Sequence, residues 1–278
     1  MDNRERSEGL ELKSLLEKLS PRDKIYNEME TNKIIDNVIG FIPASDCADS
    51  SILLVNLAVA IAQKGFNTCI LDAKVFYPNI YKLLDCEANA AGKGLIRICR
   101  SDKVDIRDVI NETKYKNLYL LSPSPSDPME DYFDFQLDDV DRVITTLKET
   151  FDFVLIDIPN NPPLEFCISS VKNCNVGFFI WSERIDCPQN TSRFLEFVGS
   201  LGIGVSKLMN VILNNLYGVK FDKTIIEDMK LKLIAEFPFV SGAIDLSLEG
   251  RVYIADSLII NKKYKESMNS LVNILTKK

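Results

Sequence analysis

The sequence predicts an α/β fold, a three-layer, doubly wound and mostly parallel sheet flanked by helices. Short apolar runs recur at 34–42, 66–71, 117–121, 151–159, 175–181 and 208–213, and runs apolar throughout suit strands buried on both faces of a parallel sheet. Between them lie segments whose apolar residues keep helical spacing, the alternation that builds βαβ units. A chain of 278 residues with 46% hydrophobic content also has enough apolar surface for one large core.

Composition narrows the function classes. The formal net charge of −7 argues against a general nucleic-acid binder, which needs clustered Lys and Arg. The absence of histidine removes the commonest general base and every Ser-His or Cys-His arrangement. Seven cysteines without a C-x-x-C pair read as reduced, mostly buried thiols. No signal peptide and no apolar run near 20 residues is present, so the expectation is a cytoplasmic protein, with the inner face of a membrane as a further candidate location.

Taken in order, residues 1–33 are a polar helical extension whose Leu10, Leu12, Leu15, Leu16 and Leu19 keep helical spacing until Ser20-Pro21 stops it. They read as a surface helix packed on the domain or as a partner-binding helix. The α/β domain then occupies 34–278. Its first unit is a strand over 34–42, a loop, a helix from Ser51 to Gln63 closed by Lys64-Gly65, and a strand ending on Asp72. A right-handed crossover puts that loop at the carboxyl end of a strand and at a helix N-terminus, where anions bind.

The stretch 77–84 follows as a short helix, and a helical run begins at Gly94-Leu95-Ile96. The sequence 138–148, DDVDRVITTLK, has acids in its first turn and Val140, Val143, Ile144 and Leu147 on one face. FDFVLIDIP, at 151–159, is an apolar strand ending near Asp157. A helix over 190–201 points Phe194, Leu195, Phe197 and Val198 inward, and the strand at 208–213 leads into Asn214-Asn215. The last helix, 261–278, carries Tyr264, Met268, Leu271, Val272 and Leu275 on one face among lysines. It reads as a core element covering the sheet or as a basic amphipathic tail in peripheral contact with an anionic membrane.

The order of strand, loop, Ser51-opened helix NLAVAIAQKG, strand ending in Asp72 and later FDFVLIDIPN resembles the MinD/ParA class of P-loop ATPases, across 34–275. In that class the loop pattern is G-x-x-x-x-G-K-[ST], with glycines that let backbone N–H groups close on phosphate and a lysine that reaches its oxygens. Here Ser51 takes the closing hydroxyl, Ser50 stands at the lysine and Asp49 at the glycine, and the second, family-specific lysine falls on Ser45. Asp46 and Asp49 bring negative charge where a triphosphate sits, each like-charge contact costing on the order of 4 kcal/mol at an effective dielectric near 20.

The resemblance implies further roles. Ser45, Asp46, Cys47, Ala48, Asp49, Ser50 and Ser51 would line the nucleotide loop. Asp72 would face a nucleotide-bound water and magnesium, Asp157 would hold magnesium together with Ser51, Asn214 would read the adenine base, and Pro238 would complete its pocket. Asp72 and Asp157 are then the catalytic candidates. Each has a plain alternative: Asp157 as a strand-end aspartate capping a loop, Asn214 as a turn residue. Lys74, where the family often has a second acid, is placed to offset or pair with the local acids.

Within the class, NLYLLSPSPSDP followed by DVDRVITTLKETFDFVLIDIP looks closest to the CpaE/TadZ branch, whose members position pilus-assembly machinery. YPNIYKLL resembles the bacterial tyrosine-kinase branch, whose usual C-terminal tyrosine cluster this tail lacks. The implied function is a degenerate MinD/ParA-like pseudo-ATPase, a homodimeric scaffold or positioning factor for a membrane-associated machine such as a pilus or secretion system, with no specific nucleic acid. The alternative is a non-standard ATP-binding protein or weak ATPase using Ser51, Asp72, Asp157 and Asn214, with ATP and magnesium as cofactors rather than none.

Overall fold

Strand β1 (Val38–Pro43) is buried along its whole length and lies between two parallel neighbours. The computed structural model describes residues 37–45 and 49–277, with only the backbone at 49. The helical extension expected at 1–33, the first residues of the expected first strand, and Asp46, Cys47 and Ala48 lie outside the described residues. From β1 the chain enters α1 (Asp49–Gln63) and crosses to β2 (Thr68–Asp72). Lys64-Gly65 ends the helix as anticipated: Gly65 takes a left-handed φ of 95° and its N–H donates to the Ala62 carbonyl at 2.9 Å.

The remaining strands are β3 (Asn111–Glu112), β4 (Leu118–Leu121), β5 (Phe153–Asp157), β6 (Val176–Trp181), β7 (Asn210–Asn214) and β8 (Lys232–Phe237). They form one sheet in the order β3-β4-β2-β5-β1-β6-β7-β8, parallel except for the antiparallel edge strand β3. Strands β2, β4, β5 and β6 are apolar because helices cover both faces, as the continuous apolar runs require.

On one face α1 packs with α8 (Ser241–Leu248), α9 (Tyr253–Asp256) and α10 (Lys262–Thr276). On the other, α4 (Leu137–Thr150) packs against α5 (Leu164–Asn173) and α3 (Leu95–Arg100). The helix α4 buries Val140, Val143, Ile144 and Leu147, the four residues its spacing selects. It begins one residue earlier than the acids suggested, where the Asp139 carboxylate accepts the Gln136 N–H at 3.0 Å. Two further short helices are α2 (Ile80–Leu83) and α7 (Thr224–Asp228).

One boundary differs for a clear reason. Helix α6 (Cys187–Ser200) starts three residues before the expected Asn190, because Pro188 sits in the first turn, where no N–H donor is needed and its fixed φ is already helical. Of the four residues expected to point inward, Val198 is fully buried while Phe194, Leu195 and Phe197 are half-buried against the core. The six described cysteines are free, five of them buried. No helix among the described residues is long and apolar enough to cross a membrane.

Candidate functional site

The carboxyl ends of β2 and β5, side by side in register, bring Asp72 and Asp157 together. Both carboxylates are fully buried. The first turn of α1 presents Ser50 and Ser51 to the same point, and the chain leaving β2 returns Lys74 to it. The arrangement lies at the middle of the sheet, where strand order reverses direction around β1, the place where α/β sheets bind ligands.

Lys74 closes the site. Its Nζ lies 2.8 Å from Asp157 Oδ1, and it donates to Ser51 Oγ at 3.1 Å and to Ser50 Oγ at 3.4 Å. Ser51 Oγ in turn donates to Asp157 Oδ2 at 2.6 Å, so the hydroxyl both accepts and donates. The lysine side chain is 16% exposed and the aspartate 0%. A helix N-terminus repels a cation, so Lys74 is held here by the two buried acids rather than by α1. A buried carboxylate without a counter-charge is far more costly than this mismatch.

Asp72 is held by the backbone that follows β2. Its Oδ1 accepts the Lys74 N–H at 3.1 Å, and Oδ2 accepts the N–H groups of Asn79 and Ile80 at 3.1 and 3.2 Å. It therefore ties down the segment 73–79 and the start of α2. Resemblance implies that Asp72 faces a bound water and magnesium; in this structure its carboxylate accepts three N–H groups of the tight segment that follows β2.

Burial, and then the charge of Asp157, push the Asp72 carboxyl up to about 7, against the pull of Lys74 and the backbone N–H groups. Its folded value exceeds the unfolded one near 3.9, so its contribution to stability is complete below about pH 4 and is lost as pH rises toward about 7. The urea midpoint of the protein should therefore fall between pH 5 and pH 8, and Asp72→Asn should flatten that slope. Asp186, Asp222 and Glu236, held below the usual carboxylate range by hydrogen bonds from Arg184, Thr224 and Lys223, act at more acidic pH and leave this window clear. A profile that is flat in the parent protein would contradict the assignment.

Asn214 at the end of β7 and Pro238 after β8 line one small cavity with Ile52, Leu53 and Leu216. Its volume is about 30 Å³, room for a water or two and not for a purine in this conformation. The following loop is fixed by Glu183, whose carboxylate accepts the N–H groups of Leu216, Tyr217 and Gly218 at 2.7, 3.3 and 3.0 Å. Three successive N–H groups form an anion nest, and here a side chain of the protein fills it.

Ser45 lies apart from Ser50 and Ser51. It lines a cleft of about 490 Å³ with Asn160, Leu164, Asn190, Arg193 and Phe197. The structure thus brings Ser50, Ser51, Asp72 and Asp157 to one point and Asn214 with Pro238 to another, while Asp46, Cys47, Ala48 and the side chain of Asp49 are not described. The pairing of Lys74 with a local acid was expected, and the structure makes Asp157 that acid. Two features escaped the sequence reading, the Glu183 nest and the Asn160–Arg193 cleft.

No protein-family model matches the chain. It is 28% identical over 175 residues to the putative tyrosine-protein kinase CapB of Staphylococcus aureus, covering 60% of this chain and 69% of that one. Among solved structures it is similar to the septum site-determining protein MinD complexed with Mg-ADP from Pyrococcus horikoshii OT3, with a TM-score of 0.70 at 20% identity, covering 87% of this chain and 97% of the other. A ParA family ATPase from Chlorobium tepidum TLS superposes with a TM-score of 0.72 at 16% identity, covering 85% and 97%.

Proposed function

We propose that this chain, which has the fold of the MinD/ParA-type P-loop ATPases, does not hydrolyse ATP and serves as a dimeric scaffold or positioning factor for a membrane-associated assembly such as a pilus or secretion system. The observation that carries the reading is the closed cluster of Lys74, Ser51 and Asp157. Phosphoryl transfer in P-loop proteins relies on a loop lysine at the β and γ phosphates and on magnesium held by the Ser/Thr hydroxyl and the strand-end acid. Ser50 stands in the lysine position, and the hydroxyl and acid are bound to each other and to Lys74.

The residues present do not fit a magnesium ion. An ion in contact with both Ser51 Oγ and Asp157 needs metal–oxygen distances of about 2.0–2.1 Å, and the Lys74 ammonium already lies 3.1 and 2.8 Å from those atoms. No catalytic step is therefore routed through a metal here. Asp72 is engaged by three backbone N–H groups, which ties its carboxylate to the segment 73–79 and the start of α2. What the arrangement does support is a fixed conformation of the α1 N-terminus and the segment 73–79, which suits a protein whose output is its surface.

The reading predicts no ATP turnover above background for the purified protein, and a melting temperature unmoved by ATP with magnesium. A ligand at 100 times its Kd adds about 2.7 kcal/mol, roughly 5–10 °C for a domain of this size. Turnover that Asp157→Ala abolishes would overturn it. The second reading, ATP binding without hydrolysis, rests on Asn214 and Pro238 meeting beside Ile52 and Leu53; a melting shift removed by Asn214→Ala would favour it. Sedimentation of the nucleotide-free protein tests the dimer.

A further inference from the structure

We propose that Lys74 is the resident cation of this site: its ammonium occupies a latent divalent-metal position formed by Ser51 and Asp157, so that the protein excludes magnesium and substitution of the lysine opens the position. This deepens the non-hydrolysing reading.

The geometry is that of a cation shell. Three oxygens, Asp157 Oδ1, Ser51 Oγ and Ser50 Oγ, surround Nζ at 2.8, 3.1 and 3.4 Å, one for each ammonium proton. Hydroxyl and carboxylate oxygens are also the ligands that hard divalent ions choose. The backbone confines the lysine, because its own N–H is held by Asp72 Oδ1 at 3.1 Å. Withdrawing the ammonium would leave Asp72 and Asp157, both fully buried and adjacent, with no other salt-bridge partner among the described residues. A divalent ion beside the ammonium would meet both steric overlap and like-charge repulsion, so the two cations are mutually exclusive. An anion approaching this site meets a single tethered charge and no metal-bound water.

The test is Mn²⁺ binding followed by electron paramagnetic resonance on the full chain, without nucleotide. The wild-type protein should leave added Mn²⁺ free. Lys74→Gln should bind one ion about 10–100-fold more tightly, the range that a change around a metal's ligands produces, and adding Asp157→Asn should abolish it. Magnesium should likewise raise the melting temperature of Lys74→Gln and not of the wild type. Should Lys74→Gln fail to fold, Lys74→Gln with Asp72→Asn removes one of the two facing charges and is read in the same way. A wild-type Mn²⁺ site that Asp157→Asn removes would overturn the proposal, as would a folded lysine variant that binds no ion. Because no nucleotide is present, the result is independent of whether the wild-type chain turns over ATP.

Discussion

Lys74→Ala should lower folding stability by about 3–5 kcal/mol at pH 7.5, the cost of removing one partner from a buried ion pair. The size follows from what is left behind. Asp157 and Asp72 are both fully buried and adjacent in register, and the ammonium 2.8 Å from Asp157 is the cation that offsets them. The loss should shrink at pH 5, where Asp72, whose carboxyl burial pushes up to about 7, takes up a proton and one fewer charge is left uncompensated. The double variant Lys74→Ala with Asp157→Ala should recover most of the loss, because both charges leave together. Urea unfolding of the four proteins of this cycle measures the coupling directly. A neutral Lys74→Ala would mean that the pair does not form in solution.

Leu271→Ala should cost about 2–5 kcal/mol, the range for a large-to-small change in a packed core. Leu271 is completely buried on α10, in a row with Tyr264, Met268, Val272 and Leu275. That row lies against β8 and α1, and the Tyr264 ring meets Phe237 and Tyr253 with centroids 5.1 Å away in each case. Replacing the outward Lys262, Lys263 and Lys265 by glutamine should change stability by no more than about 0.5 kcal/mol, as for ordinary surface sites. If α10 instead worked as a membrane-lying tail through its apolar face, Leu271→Ala would leave stability unchanged and weaken binding to anionic vesicles. The sequence left both roles open; packing assigns the apolar face to the sheet, and the lysines remain outward with Glu266, Asn269, Ser270 and Asn273.

The parts of the fold that were legible in the sequence are those written in local periodicity. Val140, Val143, Ile144 and Leu147 announce α4 because four positions at 3.6-residue spacing make one face. FVLID at β5 announces a central strand because nothing in it is polar until the carboxyl end. The start of α6 was less legible: the apolar spacing places it at Asn190, and Pro188 opens it three residues earlier, since a missing N–H is harmful in a helix interior and harmless in its first turn.

The sequence by itself determined that this chain folds as a layered parallel α/β domain, and that the loop before Ser51 holds no lysine or arginine, because both are statements about residue type and spacing. Which acid and which hydroxyl Lys74 meets was decided only by the tertiary structure. Ser51, Lys74 and Asp157 are 23 and 83 residues apart along the chain in successive steps, and they meet because β2 and β5, distant in sequence, pair in register beneath the first turn of α1. No local pattern encodes such a meeting. It depends on strand order, on the return of one loop, and on the energetic demand that two buried acids share a counter-charge.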